Sequence, residues 1–316
     1  MTARQNVPSS HSTDTAVSKL GDSVNENERG DMNAIPLTAY DVRKSFGGEF
    51  DARRLLPWRR SENGRQGPVQ VLHGVSFQVE RGEIFGLIGA NGSGKSTMIR
   101  ILSTLLLADG GQVRIFGLDV VADSAKVRAL INRVSADPSF FRNMSTMENL
   151  LFFGRVYGLS PAEIKRRVPV ILARLGFEPS KASDKMIHLS RGQQQKIAVA
   201  RSFLTSPVLM LLDEPTTGLD PRSKRDVQAF IRDVRAEHEA TVLLTTHDME
   251  EAELLCDRIA FIAGGRIVAE GTPLELRQRL ANGRPMHQIN METVFMELTG
   301  KSIDEDEQAA EVALAN

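Results

Sequence analysis

The chain of 316 residues is 41% hydrophobic, enough for a buried core, and its formal net charge of -1 excludes the global basic field typical of nonspecific nucleic-acid binding. No apolar run approaches the ~18 residues that cross a bilayer, and no apolar leader opens the chain. Its single cysteine, Cys256, excludes an intramolecular disulfide, so we expect a cytoplasmic protein in which Cys256 is a small buried residue.

The N-terminal region changes character near residue 37. Residues 1–36 are rich in Ser, Asn, Asp and Thr without a sustained apolar period, which predicts a disordered tail. Residues 37–46 and 69–79 alternate as strands. The Arg-containing stretch 47–68 between them predicts a basic loop insertion, either simply solvated or in contact with anionic lipid headgroups or a partner protein.

A glycine-rich stretch follows the second strand. Residues 89–96 read Gly-Ala-Asn-Gly-Ser-Gly-Lys-Ser and match the phosphate-binding pattern G-x-x-x-x-G-K-[ST]. Residues 83–88 form a short apolar run of strand length, and Met98, Ile101, Leu102, Leu105 and Leu106 repeat afterwards at helical spacing. The sequence therefore predicts a strand, a phosphate loop and a helix, against the alternative of a glycine-rich turn that binds nothing.

The residue types of this loop explain its chemistry. Glycines let successive backbone N–H groups turn toward one anion, and a helix N-terminus adds further donors. Lys95 is expected to reach the β and γ phosphates, Ser96 to ligate Mg²⁺ and Thr97 to hold the α phosphate. The predicted nucleotide contacts of the loop are Gly89, Ala90, Asn91, Gly92, Ser93, Gly94, Lys95, Ser96 and Thr97.

The remaining elements predict an α/β chain. Residues 112–117 read as a strand, and residues 147–175 as helices broken at Ser160-Pro161, within a helical subdomain placed at 136–190. Residues 208–212 and 241–246 are apolar and read as buried parallel strands. Residues 259–268 form a predicted hairpin about Gly264-Gly265, and residues 291–298 a short amphipathic segment before an acidic tail.

Two carboxylates follow the apolar strand 208–212. In a parallel sheet that binds nucleotide, such positions face the ligand, so Asp213 suits the Mg²⁺ shell. Glu214 is placed to polarise or deprotonate a water aligned with the γ phosphate. The alternative is a solvated cap of two acids, which the upstream phosphate loop disfavours.

Residues 190–193, Ser-Arg-Gly-Gln, fit the capping box S-x-x-[EQ] and predict a helix start. A capped helix N-terminus also offers N–H groups to an anion, so the same residues suit a phosphate contact. Both interpretations remain open on this pattern alone.

Taken together, these motifs resemble those of ABC transporter ATPases over about residues 37–280. Residues 89–96, 189–193, 209–216, 218–220 and 245–247 are similar to the Walker A, signature, Walker B, D-loop and H-loop motifs, in that order. The segment 290–302 is similar to the tail of ATPase subunits of daunorubicin-resistance and polysaccharide-export type exporters. The resemblance implies an α/β P-loop NTPase with an ABC-type mixed sheet core, an antiparallel β subdomain and a helical signature subdomain, placed at residues 37–283 and followed by a short C-terminal segment at 284–316.

The resemblance also implies a head-to-tail homodimer with two ATP molecules between the subunits. Phe46 would stack on adenine, although alone it reads as a core residue, and His247, otherwise an ordinary strand-end histidine, would contact the γ phosphate. Ser190, Gly192 and Gln193 would come from the other subunit, with Asp220 near the seam. The implied partner is a transmembrane permease, with the ATPase peripheral on the inner face of the membrane and no nucleic acid expected.

Two positions depart from the family pattern. Arg191 replaces the usual second glycine of the signature, and Ala136 stands where a glutamine usually touches Mg²⁺ and couples to the membrane subunit. Asp137 is a hypothetical substitute for that glutamine. The alternatives to an exporter ATPase are a soluble ABC protein of translation or DNA maintenance, which typically has two nucleotide-binding halves or long coiled coils, and a catalytically silent regulatory module.

Overall fold

The computed structural model describes residues 31, 33–47, 68–205, 207–281, 285 and 288–300. The predicted tail at 1–36 and the basic loop at 47–68 therefore lie almost wholly outside the described residues, as does the acidic end of the chain. Within the described ranges, none of the helices combines the length and the apolar character needed to cross a membrane.

The described chain contains both strands and helices. The strands are β1 Leu37–Phe46, β2 Val69–Val79, β3 Ile84–Ile88, β4 Gly110–Ile115, β5 Leu118–Asp119, β6 Ile131–Val134, β7 Leu209–Asp213, β8 Thr241–Thr246, β9 Arg258–Ala263 and β10 Arg266–Gly271. The helices are α1 Lys95–Leu102, α2 Ser124–Leu130, α3 Thr146–Val156, α4 Pro161–Arg174, α5 Arg191–Ser202, α6 Pro221–His238, α7 Met249–Leu255, α8 Pro273–Ala281 and α9 Met291–Thr299.

The described strands form two sheets. One is antiparallel with the order β2-β1-β4-β5. The other has the order β10-β9-β3-β8-β7-β6, and it is parallel from β9 to β6 with β10 added antiparallel as the predicted hairpin. The mixed sheet and the separate antiparallel sheet confirm the predicted fold class.

The central sheet is buried on both faces, which explains why its strands are apolar without alternation. Phe85 and Leu87 of β3 face a core shared with the antiparallel sheet and α1. Ile84 and Ile88 face the opposite core, which the helices from α3 onward cover. Cys256 belongs to this second core and is 6% exposed, as predicted.

The helix after the phosphate loop is shorter than predicted. The apolar repeat indicated a helix to Leu106, but α1 ends at Leu102. Thr104 has a left-handed backbone with φ of 60°, and the N–H of Leu105 bonds back to the carbonyl of Arg100 at 2.9 Å. Leu105 is 64% exposed because it lies beyond this turn.

The predicted break between two helices is confirmed. α3 ends at Val156, and α4 begins with Pro161 at its first position, where the missing N–H of proline costs no helical hydrogen bond. The Ser160 hydroxyl caps α4 by accepting from the N–H of Glu163.

Candidate nucleotide site

The phosphate loop lies where parallel strands end at one edge of the central sheet. Ile88 pairs with Thr246, and Asp213 pairs with Thr245, so the ends of β3, β7 and β8 are level. The loop after β3, the carboxylates after β7 and His247 after β8 consequently meet at the same edge. The structure thus brings together residues that lie far apart in the sequence.

Two loop glycines are required by geometry. A Cβ on Gly89 would lie 2.2 Å from the carbonyl oxygen of Ile262, closer than any side chain can approach. Gly94 precedes α1 with φ of 107°, a backbone conformation that residues with a Cβ rarely adopt. The pattern therefore places one glycine where the loop packs closely against β9 and another where the backbone is left-handed before α1.

Lys95 is buried at the centre of the loop, with 3% of its surface exposed. Its Nζ donates to the carbonyl oxygens of Gly89 at 2.6 Å and Ala90 at 2.9 Å, and lies 3.4 Å from Oε1 of Glu214. These contacts hold the ammonium inside the loop curve, where a phosphate group would meet it.

The loop also carries donors suited to an anion. The Ser93 hydroxyl is buried and has no hydrogen-bond partner among the described residues. Asn91 and Gly92 are exposed at the rim, whereas Ser96 and Thr97 at the start of α1 are half-buried. An unpartnered buried hydroxyl beside an enclosed ammonium fits a phosphate chain, because each buried polar group needs a partner.

Asp213 is 2% exposed, and both of its oxygens are engaged. Its Oδ1 accepts from the hydroxyls of Ser96 and Thr245, each at 3.0 Å. Its Oδ2 lies 3.2 Å from Nη2 of Arg133. A carboxylate next to a hydroxyl at the phosphate loop is a donor set that suits Mg²⁺, which takes few protein oxygens together with waters and phosphates.

Glu214 is held in a strained backbone conformation with φ of 48°. Its Oε2 lies 3.3 Å from Nδ1 of His247 and accepts from the Thr217 hydroxyl at 3.0 Å, while its Oε1 faces Lys95. Burial alone would raise the pKa of Glu214, but the hydrogen bond from His247 and the charges of Lys95 and His247 lower it to about 2. The carboxylate is therefore ionised at neutral pH.

The signature residues form a second group. Ser190 caps α5 reciprocally with Gln193, since the Gln193 N–H donates to the Ser190 hydroxyl at 3.3 Å and the Ser190 N–H to Oε1 of Gln193 at 3.0 Å. The Asp220 carboxylate caps α6 and lies 3.4 Å from where a Cβ on Gly192 would stand. The capping box is confirmed, and the helix start is exposed at Ser190.

The departures from the family pattern lie in different surroundings. The exposed Arg191 places its guanidinium carbon 3.2 Å from where a Cβ on Gly218 would be, so Gly218 makes room for it. Ala136 is half-buried and Asp137 exposed. Phe46 is 40% exposed at the end of β1, with Nζ of Lys44 5.6 Å from its ring centroid, so interpreting it as a core residue is wrong.

Sequence reasoning missed Arg133, the basic residue against Asp213. β6 carries it without any motif, and its role follows only from the pairing of β6 with β7. The available signal was a charged residue within a short strand whose two end residues are buried, because a partly buried charge favours a partner of opposite charge. Thr245 belongs to the motif at residues 245–247, but that motif does not predict its hydrogen bond to Asp213.

Comparison with known proteins places the chain among transporter ATPases. The sequence profile described as "ABC transporter" matches residues 72–217, from β2 to Thr217. The Nod factor export ATP-binding protein I of Rhizobium sp. (strain N33) is 41% identical over 242 residues, which are 77% of this chain and 72% of that protein. The daunorubicin resistance ATP-binding protein DrrA3 of Streptomyces coeruleorubidus is 35% identical over 249 residues, 77% of this chain and 78% of that protein.

Comparison with solved structures agrees with these sequence matches. The ATP binding subunit of an ABC transporter superimposes with a TM-score of 0.69 at 29% identity, covering 84% of this chain and all of that one. The cassette MJ0796, solved as a dimer bound to ADP and Pi, superimposes with a TM-score of 0.64 at 24% identity over 75% of this chain and 98% of that one, a likeness of fold. With its phosphate loop and paired carboxylates in place, the chain belongs to the family of ATP-binding subunits of ABC transporters and is an ATPase.

Proposed function

We propose that the chain hydrolyses ATP as a homodimer and thereby powers a separate transmembrane permease that exports its cargo. The names of the relatives, which specify Nod factor export and daunorubicin resistance, support the direction of transport. The dimeric MJ0796 cassette supports association of two copies. This role implies a cytoplasmic protein attached to the inner face of the membrane through the permease.

The observation that carries the proposal is the arrangement around Glu214. A carboxylate ionised at neutral pH lies between the Lys95 ammonium, His247 and the Thr217 hydroxyl, one residue beyond Asp213. These groups surround the place where the γ phosphate of a nucleotide on the loop would end. Such a site suits phosphoryl transfer to water, because catalysis of that reaction rests on positioning and charge.

Asp213 and Ser96 would hold Mg²⁺ in this site. When bound, the ion supplies positive charge that offsets the negative charge of the phosphate oxygens. The Ser96 hydroxyl, which now donates to Asp213 at 3.0 Å, is placed to turn its oxygen toward the cation.

Lys95 and Glu214 would divide the work of hydrolysis. The Lys95 ammonium would move from the loop carbonyls to the phosphates and so leave Glu214. Without that neighbouring charge the pKa of Glu214 rises, which makes the carboxylate a better base for the attacking water. His247 and Thr217 fix its Oε2, and His247 would also contact the γ phosphate.

A dimer would complete the site. The capped start of α5, which is exposed at Ser190, would bring Ser190, Gly192 and Gln193 of one subunit to the nucleotide held by the phosphate loop of the other. Asp220 lies beside Gly192 and would border the seam between the subunits. Phe46, exposed at the end of β1, would stack on adenine.

An apolar groove on α3 supports a membrane partner. Met144, Glu148, Leu151, Phe152, Arg155 and Val156 line a volume of about 520 Å³. Phe152 is 43% exposed and Val156 65%, although both are apolar. Exposed apolar side chains with a charged rim are typical of a protein interface, and we assign this groove to a cytoplasmic segment of the permease.

The test is affinity purification of the Glu214→Gln protein with ATP from detergent-solubilised cells, with co-purified proteins identified by mass spectrometry. We expect a stoichiometric polytopic membrane protein. The added change Val156→Asp should abolish its recovery, whereas Val170→Asp, on an exposed position of α4, should not. Recovery of ribosomal or DNA-repair proteins without a membrane subunit would overturn the partner assignment.

A further inference from the structure

Arg133 reaches the edge of the sheet where the nucleotide site lies. β6 runs parallel to β7, with Arg133 opposite Leu211. Asp213 follows Leu211 by two residues, so all three side chains project from the same face of the sheet. Leu211 packs in the core shared with Met98 of α1, so this is the face that carries the helix after the phosphate loop.

The contacts of Arg133 converge on Asp213. Its Nη2 lies 3.2 Å from Oδ2 of Asp213 and donates to the Ser135 hydroxyl at 3.2 Å. Its side chain is 21% exposed, and its Nε is buried without an acceptor among the described residues. Among the described contacts, Asp213 is thus the one acid that forms an ion pair with Arg133. The other carboxylate oxygen of Asp213 accepts hydrogen bonds from Ser96 and Thr245.

The local charges are balanced before any cation enters. Lys95 lies next to Glu214, and Arg133 lies next to Asp213, so two positive charges face two negative charges in this buried region. A divalent cation at Asp213 would lie close to the guanidinium and would share the same carboxylate. Like charges a few ångströms apart repel, and partial burial limits the screening by solvent.

We propose that Arg133 is a positioning residue of the metal site, which orients Asp213 and lowers the affinity of the site for a divalent cation. The inference rests on the proposed roles of Asp213 and Ser96. Arg133 supplies part of the positive charge beside the phosphates, so that nucleotide binding depends only weakly on the metal. Ala136, two residues after β6, has only a methyl side chain and therefore offers the cation no side-chain ligand.

The test measures Mn²⁺ affinity of the protein–ADP complex by the electron paramagnetic resonance signal of free Mn²⁺. Arg133→Met removes the charge with an apolar chain of similar length and should tighten Mn²⁺ binding by about tenfold. Arg133→Lys keeps the charge and should stay within about twofold of the original protein. An unchanged or weaker affinity in Arg133→Met, or equal tightening in both variants, would overturn the inference.

Two further measurements keep the result interpretable. In the unaltered protein, replacing Mg²⁺ by EDTA should weaken ADP binding by less than about tenfold, and a larger loss contradicts the inference even if Arg133→Met does not fold. Asp213→Ala should abolish tight Mn²⁺ binding. Retained affinity in Asp213→Ala would overturn the metal assignment itself, whereas its loss with no effect of Arg133→Met would overturn only the role of Arg133.

Discussion

Replacing Glu214 by Gln changes one oxygen to an NH₂ group and removes the charge. The carboxylate now faces three donors, with Lys95 at 3.4 Å, His247 at 3.3 Å and Thr217 at 3.0 Å. Glutamine has a single oxygen, so in either orientation its NH₂ group meets a donor. The shape of the side chain is kept, and the base is lost.

The expected loss follows from the role of the carboxylate. A positioned base contributes a rate factor of about 10² to 10⁴, so turnover of Glu214→Gln should fall at least about a hundredfold, equivalent to about 2.7 kcal/mol in the barrier. ATP affinity should be retained or tighter, because the variant removes a negative charge beside the phosphates. The phosphate loop itself is unchanged.

The assay compares phosphate release at saturating ATP and Mg²⁺ with ATP binding by calorimetry. Glu250→Gln, which makes the same change at an exposed position of α7, is the matched control and should hydrolyse ATP at the original rate. Turnover of Glu214→Gln within about threefold of the control would refute the assignment of Glu214 as the base, since a lost base costs about a hundredfold or more.

Three further predictions concern the cap, the adenine contact and acid stability. Ser190→Ala removes the helix cap and should lower the free energy of unfolding, measured by chemical denaturation, by about 1 kcal/mol. The same variant should hydrolyse ATP more than about tenfold more slowly. Hydrolysis at the original rate would show that Ser190 only caps the helix. Phe46→Ala should weaken ATP binding in calorimetry by about tenfold with little change in stability, while Phe46→Tyr should not, and equal affinities in both would exclude stacking. Because the pKa of Glu214 is lowered from 4.5 to about 2 in the folded state, its stabilisation is complete above pH 4.5 and lost as pH falls to about 2. The stability advantage over Glu214→Gln should therefore shrink by roughly 2 kcal/mol across that window in urea titrations, and a constant difference would contradict the lowered pKa.

Sequence patterns predicted the structure well in segments whose conformation depends mainly on their own residues. The capping box at Ser190 and the phosphate loop with its flanking strand appear as expected. Burial on both faces of the central sheet accounts for the apolar strands that were read as parallel. Apolar spacing alone overextended α1, because the helix end depends on the left-handed backbone at Thr104.

Contacts between distant segments were harder to predict. The pairing of Arg133 with Asp213 depends on β6 lying beside β7, which no periodicity encodes. The strained backbone of Glu214 likewise has no sequence signal, since a glutamate rarely adopts a positive φ. Phe46, which on its own reads as a core residue, is 40% exposed, and the stacking on adenine that the family resemblance implies stays a prediction.

Mixing two inactive variants tests the central claim, an ATP site shared between two copies of the chain. Lys95→Ala disables the phosphate loop, and Ser190→Phe adds a ring at an exposed helix start, where its own subunit leaves room. Each variant alone should be inactive, whereas a heterodimer of the two contains one intact site. An equimolar mixture should therefore recover about a quarter of the ATPase activity of the unaltered protein, since half of the dimers are mixed and each has one working site of two. A mixture as inactive as its components would contradict the shared site.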